Sequence, residues 1–296
     1  MVYLHIICIF VIMVKNLNWT LMLHRRLHMN TERKLIFFDI DGTIVTEARD
    51  GRIIPDSTRT ALRKLQQNGH LCFINTGRAL AEIDEPILQL QMDGLVCGCG
   101  TYITYHDNVL AEHTIPFDLG NRILAALHDC NLEWILESTG AVYYSSQTYH
   151  SHIGDFKEEQ MGVIPNLFLV TPQDAHDLTF DKFCICDTPG SDTERFLKMF
   201  EHDLTFIDRG NGFYEVVPMG YSKASGMQFL MDHFAIAKED TIAIGDSTND
   251  LPMLSYAGTG IAMGGSAASV LDAADFETDM ILQDGLYNAF RYLQLV

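Results

Sequence analysis

One short acidic segment stands directly after an apolar run in the first part of the chain. The run Leu35–Phe38 ends at Asp39, and Asp41 follows two positions later. Residues two apart in extended chain point to the same side, so both carboxylates can face one small volume. Gly42 permits a sharp turn there, and Thr43 adds a hydroxyl and an N–H group to the same place. Such a cluster, at the carboxyl end of a sheet strand, lies where open α/β sheets bind ligands.

A second acidic segment has the same form. The apolar run Thr241–Ile244 reaches Gly245, and Asp246 and Asp250 follow. If the two strands are neighbours, the two pairs of acids converge at one edge of the sheet. Four carboxylates in one place repel each other strongly unless a cation binds among them, and oxygen ligands of this kind favour Mg²⁺. Each pair alone is also compatible with a turn or a helix cap, since aspartate suits both.

Two further segments carry groups that can hold an anion. The run Leu71–Asn75 is followed by Thr76, Gly77 and Arg78. Lys223 stands at the start of a predicted helix, where it can supply a fixed positive charge. The alternative for Lys223 is an exposed surface lysine, which is the commoner situation for any single lysine.

The order of these four motifs along the chain resembles that of the haloacid dehalogenase superfamily of phosphohydrolases. The large insert between the second and third motifs, and the run Glu215–Pro218 before Lys223, are similar to the Cof-type subfamily. The resemblance covers essentially residue 29 to the C-terminus. The sequence departs from the subfamily at Cys99 and Gly265, where an asparagine is usual. The four motifs are Asp39-Ile40-Asp41-Gly42-Thr43, Asn75-Thr76-Gly77-Arg78, Lys223 and Gly245-Asp246-Ser247-Thr248-Asn249-Asp250.

The resemblance implies catalytic roles that the side-chain chemistry supports. Asp39 would attack phosphorus and form an aspartyl-phosphate, which divides one difficult displacement into two easier ones. Asp41 would protonate the leaving oxygen and then deprotonate the water that hydrolyses the intermediate. Thr76 would hold phosphoryl oxygens, and Lys223 and Mg²⁺ would balance their negative charge.

The resemblance also implies which residues bind metal and substrate. The metal ligands would be Asp39, the Asp41 carbonyl group and Asp246, with Asp250 and Asn249 nearby, directly or through water. The phosphate- and substrate-binding residues would be Gly42, Thr43, Gly77, Arg78 and Asn249. For Arg78 the alternative is a structural ion pair.

The alternation of strand and helix patterns predicts an α/β fold. We expect a doubly wound (Rossmann-like) parallel-sheet core with an inserted α+β cap domain. The core would comprise residues 29–116 and 219–296, and the cap residues 117–218. Within the core, the spacing of apolar residues predicts a helix over Ala79–Gln91, kinked or ended early by Pro86.

Composition narrows the classes of partner. The chain has 296 residues, 47% of them hydrophobic, and a formal net charge of −19. Nucleic acids and anionic membranes would be repelled by this charge. The resemblance implies a small phosphate ester as the partner, for which the site must supply its own local positive charge. The odd number of cysteines, seven, favours reduced thiols in a cytoplasmic protein over a disulfide framework. The oligomeric state is left open.

Residues 1–28 differ in composition from the rest of the chain. The apolar run Val2–Val14 is short for a membrane span, and it lacks a basic segment before it. We interpret these residues as an N-terminal extension that reflects a misassigned start, with translation beginning at Met29. The alternative is a membrane anchor with Arg25 and Arg26 on its inner side.

The four motifs, with the resemblance they carry, predict a Mg²⁺-dependent phosphatase. The resemblance implies small phosphorylated metabolites as substrates, such as sugar phosphates or phosphorylated cofactors. One alternative is a phosphotransferase or sugar phosphomutase that uses the same nucleophile. A second alternative, from another class, is a non-catalytic regulatory protein that binds a phosphorylated ligand.

Overall fold

The computed structural model describes residues 33–46, 51–171 and 174–296. The predicted N-terminal extension, residues 1–28, lies outside these ranges. Within them, every helix is too short or too polar to cross a lipid bilayer. The six cysteines of the described ranges are buried and form no disulfide.

Strands and helices alternate at both ends of the chain, and strands predominate between them. The first part contains β1 (Leu35–Phe38), α1 (Asp56–Gln67), β2 (Leu71–Asn75), α2 (Glu85–Leu88), β3 (Gly94–Cys97), β4 (Tyr102–Tyr105) and β5 (Asn108–Glu112). The middle contains α3 (Phe117–Asp129), β6 (Glu133–Glu137), β7 (Val142–Ser145), α4 (Ile153–Gln160), β8 (Leu167–Val170), β9 (Lys182–Cys186), α5 (Thr193–Met199), β10 (Leu204–Asp208) and β11 (Phe213–Pro218). The last part contains α6 (Lys223–Phe234), β12 (Thr241–Gly245), α7 (Leu251–Tyr256), β13 (Thr259–Ala262), α8 (Ala268–Ala273), β14 (Phe276–Glu277) and α9 (Gly285–Tyr292).

The first and last parts together build one sheet of eight strands. Its order is β14-β13-β12-β1-β2-β3-β4-β5, parallel from β14 to β3 and antiparallel over β4 and β5. All four residues of β1 are fully buried. Ile36 and Phe38 pack into one hydrophobic cluster with helices α1 and α9. Leu35 and Phe37 pack into another cluster with α6 and α7. A sheet covered on both faces explains why β1 is apolar throughout, and the predicted doubly wound core is confirmed.

The middle part builds a second sheet of six strands, in the order β10-β11-β9-β6-β7-β8. Its pairings are antiparallel except for that of β7 with β8. Helices α3 and α5 pack on this sheet around Trp134, Phe183 and Phe196, away from the first sheet's two clusters. The predicted inserted α+β unit is thus present, while its boundaries at residues 117 and 218 remain a prediction.

The predicted helix over Ala79–Gln91 is wrong. The segment forms a short 3-10 turn at Leu80–Glu82 and then the four-residue helix α2, with extended backbone at Asp84 between them. Pro86 lies in the first turn of α2, where its missing N–H group is tolerated, and it could not stand inside a longer helix. The apolar spacing of this segment arises from packing against the core rather than from a continuous helix.

Candidate active site

The two acidic segments meet because β1 and β12 are adjacent parallel strands. Phe38 pairs with Ile244, and the N–H group of Asp39 donates to the Ile244 carbonyl oxygen at 3.0 Å. Both strands therefore end at the same edge of the sheet. After β1 the chain first adds β2 to β5 on one flank of β1, and only later adds β12 to β14 on its other flank. The carboxyl ends of β1 and β12 therefore lie at the point where the strand order of the sheet reverses, which is where such sheets bind ligands.

The turn after β1 holds Asp246 in place. Gly42 has a φ of +78°, and a Cβ atom there would lie 2.3 Å from Oδ2 of Asp246, so only glycine fits. The Thr43 hydroxyl donates to Oδ1 of Asp246 at 3.2 Å. The N–H groups of Gly42 and Thr43 donate to the carbonyl oxygens of Val45 and Ile40 within the turn itself. In this arrangement the two residues position an acid, and their predicted contact with phosphate stays a prediction.

Lys223 lies fully buried between two of the acids. Its Nζ atom donates to Oδ1 of Asp39 and to Oδ1 of Asp250, each at 2.5 Å. Lys223 is the first residue of α6, and Ser222 caps the helix by accepting the N–H group of Ser225. The surface alternative for Lys223 therefore does not apply. Burial lowers the pKa of this lysine, but Asp250 and Asp39 outweigh burial and raise it, so the ammonium form is fixed.

Asp250 is held from several sides and organises the second segment. Its Oδ2 atom accepts the N–H groups of Asp246 and Ser247, at 3.0 and 2.9 Å. Asp250 is fully buried. Its two oxygens thus connect Lys223 to the loop that carries Asp246.

The remaining acids are crowded enough to perturb their protonation. Burial, followed by repulsion from Asp250, raises the pKa of Asp39 to about 7. Burial, followed by repulsion from Asp39 and Asp250, raises the pKa of Asp246 to about 8. One buried lysine does not compensate three carboxylates, and a second cation would relieve the excess of negative charge.

The same acids have the geometry of a metal site. One oxygen from each of Asp39, Asp246 and Asp250 can be chosen so that all three lie within 4.8 Å of one another. Asp39 and Asp246 line a cavity, whereas Asp250 lies behind them. Hard carboxylate oxygens that face a cavity are the donors that Mg²⁺ takes, usually together with water and substrate oxygens. The residues present fit that ion.

The Asp41 carboxylate is turned away from this cluster and is bound by arginine. Nε and Nη2 of Arg78 each donate to one oxygen of Asp41 at 2.7 Å, a two-pronged ion pair. Arg52 adds a third contact at 3.2 Å. Burial raises the pKa of Asp41, but Arg78 and Arg52 outweigh it and lower the pKa. The side chain of Asp41 therefore lies outside the acid cluster, which leaves its carbonyl group for the predicted metal contact.

The motif after β2 lies at the same edge of the sheet. Thr76 is buried, and its hydroxyl accepts the N–H group of Arg78 at 3.2 Å. A Cβ atom on Gly77 would lie 2.4 Å from Oε1 of Glu215, so the glycine admits a carboxylate from the second sheet. Asn249 donates to the other oxygen of Glu215 at 3.1 Å.

These residues surround a cavity of about 220 Å³ between the two sheets. Of the predicted site residues, the cavity wall contains Asp39, Asp41, Thr76, Gly77, Arg78, Asp246 and Asn249. Gly42, Thr43, Lys223 and Asp250 support that wall from behind, through the contacts described above.

The other residues in the wall have no site role predicted from the sequence. They are Glu82, Glu137, Lys182, Cys184, Arg209, Phe213, Glu215 and Ser247. Lys182 is buried, forms an ion pair with Glu137, and lies 3.3 Å from Glu215. Burial raises the pKa of Glu215, but Lys182 and Arg209 outweigh it and lower the pKa to about 2. The signal that could have found these residues is a single charged residue inside an otherwise apolar strand, as at Glu215.

Comparison with known proteins decides the family. The family sequence model of the haloacid dehalogenase-like hydrolases matches residues 36–290, which is most of the chain. The chain belongs to the haloacid dehalogenase-like hydrolase family. The resemblance predicted from the four motifs is confirmed, and with it the prediction of a phosphatase. The non-catalytic alternative is therefore not retained.

Individual relatives of this hydrolase agree with that assignment. The chain is 27% identical over 260 residues to the 5-amino-6-(5-phospho-D-ribitylamino)uracil phosphatase YcsE of Bacillus subtilis (strain 168), covering 88% of this chain and 95% of the relative. It is 26% identical over 248 residues to the HMP-PP phosphatase of Cronobacter sakazakii (strain ATCC BAA-894), covering 79% and 85%. Among solved structures, the HAD subclass IIB sugar phosphatase BT4131 superposes with a TM-score of 0.76 at 26% identity, covering 89% of this chain and all of that one.

Proposed function

We propose that this protein is a Mg²⁺-dependent phosphatase that hydrolyses small phosphorylated metabolites through an aspartyl-phosphate intermediate. The observation that carries the proposal is the meeting of Asp39, Asp246 and Lys223 at one edge of the core sheet, beside a cavity closed by the cap. The small volume of that cavity supports a compact substrate. The relatives named above act on small phosphorylated compounds, which supports the same class.

Asp39 is the proposed nucleophile. Lys223 holds one of its oxygens at 2.5 Å, which fixes the side chain and stabilises the carboxylate form needed for attack. The bond from Asp39 to phosphorus forms while the bond from phosphorus to the leaving oxygen breaks. Water then attacks the phosphorus of the aspartyl-phosphate, releases inorganic phosphate and restores Asp39.

Asp41 is the proposed acid and base. Arg78 and Arg52 lower the pKa of Asp41, so it enters the cycle as a carboxylate. A phosphoryl group entering the cavity would attract Arg78 and bring negative charge near Asp41, and both effects raise its pKa. With its pKa raised, Asp41 takes up a proton from solvent before the bond to the leaving oxygen breaks. It then delivers that proton to the leaving oxygen and later accepts one from the water that attacks the aspartyl-phosphate.

Asp39, Asp246 and the Asp41 carbonyl group would hold Mg²⁺, which would supply positive charge that balances the phosphoryl oxygens. Thr76 directly follows β2, the strand next to β1, and lines the cavity, where its hydroxyl can donate to a phosphoryl oxygen. Glu215 is a cap residue, and its carboxylate packs against Gly77 while it accepts a hydrogen bond from Asn249. This contact between cap and core helps to close the site.

Metal binding has a pH-dependent signature that does not require turnover. In metal-free buffer the free energy of unfolding should fall as pH rises from about 4 to about 8, because the folded protein keeps protons on Asp39 and Asp246 that the unfolded chain has released. Mg²⁺ should stabilise the protein more at pH 8 than at pH 5, since it replaces those protons. Urea unfolding with EDTA or with Mg²⁺ measures both quantities.

Two variants control this measurement. Asp246→Asn should lose most of the stabilisation by Mg²⁺, whereas Asp118→Asn, an exposed change on α3, should keep it. A Mg²⁺ effect of the same size at both pH values, or an undiminished effect in Asp246→Asn, would contradict the assignment of the metal site.

The reaction itself is tested by a panel of phosphorylated metabolites with Mg²⁺. We expect stoichiometric release of inorganic phosphate from at least one sugar phosphate or phosphorylated cofactor. An isomerised sugar phosphate without release of phosphate would instead support the phosphomutase alternative. Failure to release phosphate from any ester of a broad panel would overturn the proposal.

A further inference from the structure

Arg209 is a cap residue that reaches the site. It follows β10 in the tight connection to β11, and it lines the same cavity as Asp39 and Thr76. The carbonyl oxygen of the preceding residue, Asp208, accepts the Thr248 hydroxyl at 3.2 Å. The cap connection thus contacts the loop that carries Asp246.

The guanidinium group of Arg209 has donor capacity that the protein does not use. Its Nη1 atom is buried and has no hydrogen-bond partner among the described residues. The nearest carboxylate is that of Glu215, whose Oε2 atom lies 3.8 Å away, beyond hydrogen-bond distance. A buried charged donor without a partner is costly, so its presence beside a cavity points to an acceptor that enters from that cavity.

Arg209 lies at the end of the cavity where the phosphoryl group is proposed to bind. Glu215, its nearest acid, packs against Gly77 and accepts a hydrogen bond from Asn249, both of which belong to the phosphate-handling motifs. Burial lowers the pKa of Arg209, but Glu215, Asp39 and Asp250 outweigh it and raise the pKa. The guanidinium group therefore lies within electrostatic reach of the nucleophile.

We propose that Arg209 binds the transferring phosphoryl group, so that the cap supplies one of its ligands directly. This inference rests on the proposed function. Nη1 would donate a charge-assisted hydrogen bond to a non-bridging phosphoryl oxygen, which carries more negative charge in the transition state than in the ester. The cap then takes part in the chemistry and does more than enclose the leaving group.

Arg209→Gln and Arg209→Lys test the proposal, with Arg122→Gln as the matched cap control. Arg122 is 61% exposed and pairs with Asp203 on the cap surface. We expect Arg209→Gln to lower kcat/KM about 100-fold for every substrate, including p-nitrophenyl phosphate, whose leaving group has no second anion. Arg209→Lys should lie between Arg209→Gln and the wild type, and Arg122→Gln should match the wild type.

Calorimetry of the binding of inorganic phosphate in the presence of Mg²⁺ gives a second readout that needs no turnover. Arg209→Gln should weaken this binding about tenfold. The readout separates the inference from the proposed function, because phosphate can bind even if no ester is hydrolysed. Unchanged phosphate binding, with losses confined to substrates that carry a second anionic group, would overturn the proposal and place Arg209 at the leaving-group end.

A merely structural role is tested by pairing the change with Glu215→Gln. If Arg209 only balances the charge of Glu215, the double variant should recover the phosphate affinity of Glu215→Gln alone, and the proposal fails. If Arg209 contacts the phosphoryl group, the double variant should bind phosphate about tenfold more weakly than Glu215→Gln, as the single variant does relative to the wild type.

Discussion

Asp39→Asn should abolish phosphate release, lowering kcat by about 10⁴-fold or more, because the amide cannot form the aspartyl-phosphate. The fold should persist, since asparagine has the same shape and Lys223 keeps its contact with Asp250. Metal-free Asp39→Asn should even be more stable than the wild type at about pH 8. The pKa of Asp39 is raised to about 7, so at pH 8 the folded protein holds a charged carboxylate that is less stable there than in the unfolded chain, and the amide removes this cost.

Initial rates at saturating substrate and urea unfolding at two pH values measure these effects. Asp118→Asn, at an exposed position of the cap, should leave the rate unchanged. Acid quenching of the wild type during turnover, followed by mass spectrometry of the peptide that contains Asp39, should detect the phosphorylated residue. Substantial turnover by Asp39→Asn would remove Asp39 from the role of nucleophile.

Lys223→Met should cost both activity and stability. The lysine is fully buried between Asp39 and Asp250, and its loss leaves two buried carboxylates without their cation. Breaking a buried ion pair from one side typically costs about 3–5 kcal/mol, and removing the positive charge beside Asp39, the proposed nucleophile, should lower kcat about 10³-fold. Stability should partly return at pH 5, because Asp39, whose pKa is raised to about 7, then takes up a proton that replaces part of the missing charge.

Lys198→Met, at an exposed position of α5, is the matched control for the loss of a lysine. Denaturant unfolding at pH 5 and pH 8 follows stability, and the addition of Mg²⁺ at pH 8 should recover part of it. Wild-type stability in Lys223→Met at both pH values would show that the acids do not depend on this cation. Wild-type activity would exclude the lysine from the catalytic set.

The core and its acidic edge were predictable because their signals are local. An apolar run such as Leu35–Phe38, followed by an acid and a glycine, specifies a buried strand and a turn without reference to the rest of the chain. The order of the motifs then supplied the neighbour relation between β1 and β12, through resemblance to a family. Composition alone would not have placed these strands side by side.

The features that could not be predicted from the sequence have physical causes in particular segments. The apolar positions of Ala79–Gln91 match a helical period, yet extended backbone at Asp84 and the ring of Pro86 divide the segment. The apolar run of β8 would suggest a buried strand like β1, yet β8 lies at the edge of the cap sheet, where Phe168 and Leu169 are about half exposed. Its exposure depends on its place in the sheet, which a local pattern does not give. Arg209, Lys182 and Glu137 were missed because their position depends on how the cap sheet meets the core sheet.

The central position of β1 also affects how the protein is made. One side of β1 pairs with β2, which is synthesised soon afterwards, but the other side pairs with β12, whose residues come about two hundred positions later. Until the ribosome has produced that segment, β1 presents an open edge of apolar residues, which is a known route to aggregation. We therefore expect the cap to fold first on the nascent chain, and chaperones to shield the amino-terminal half until synthesis is nearly complete.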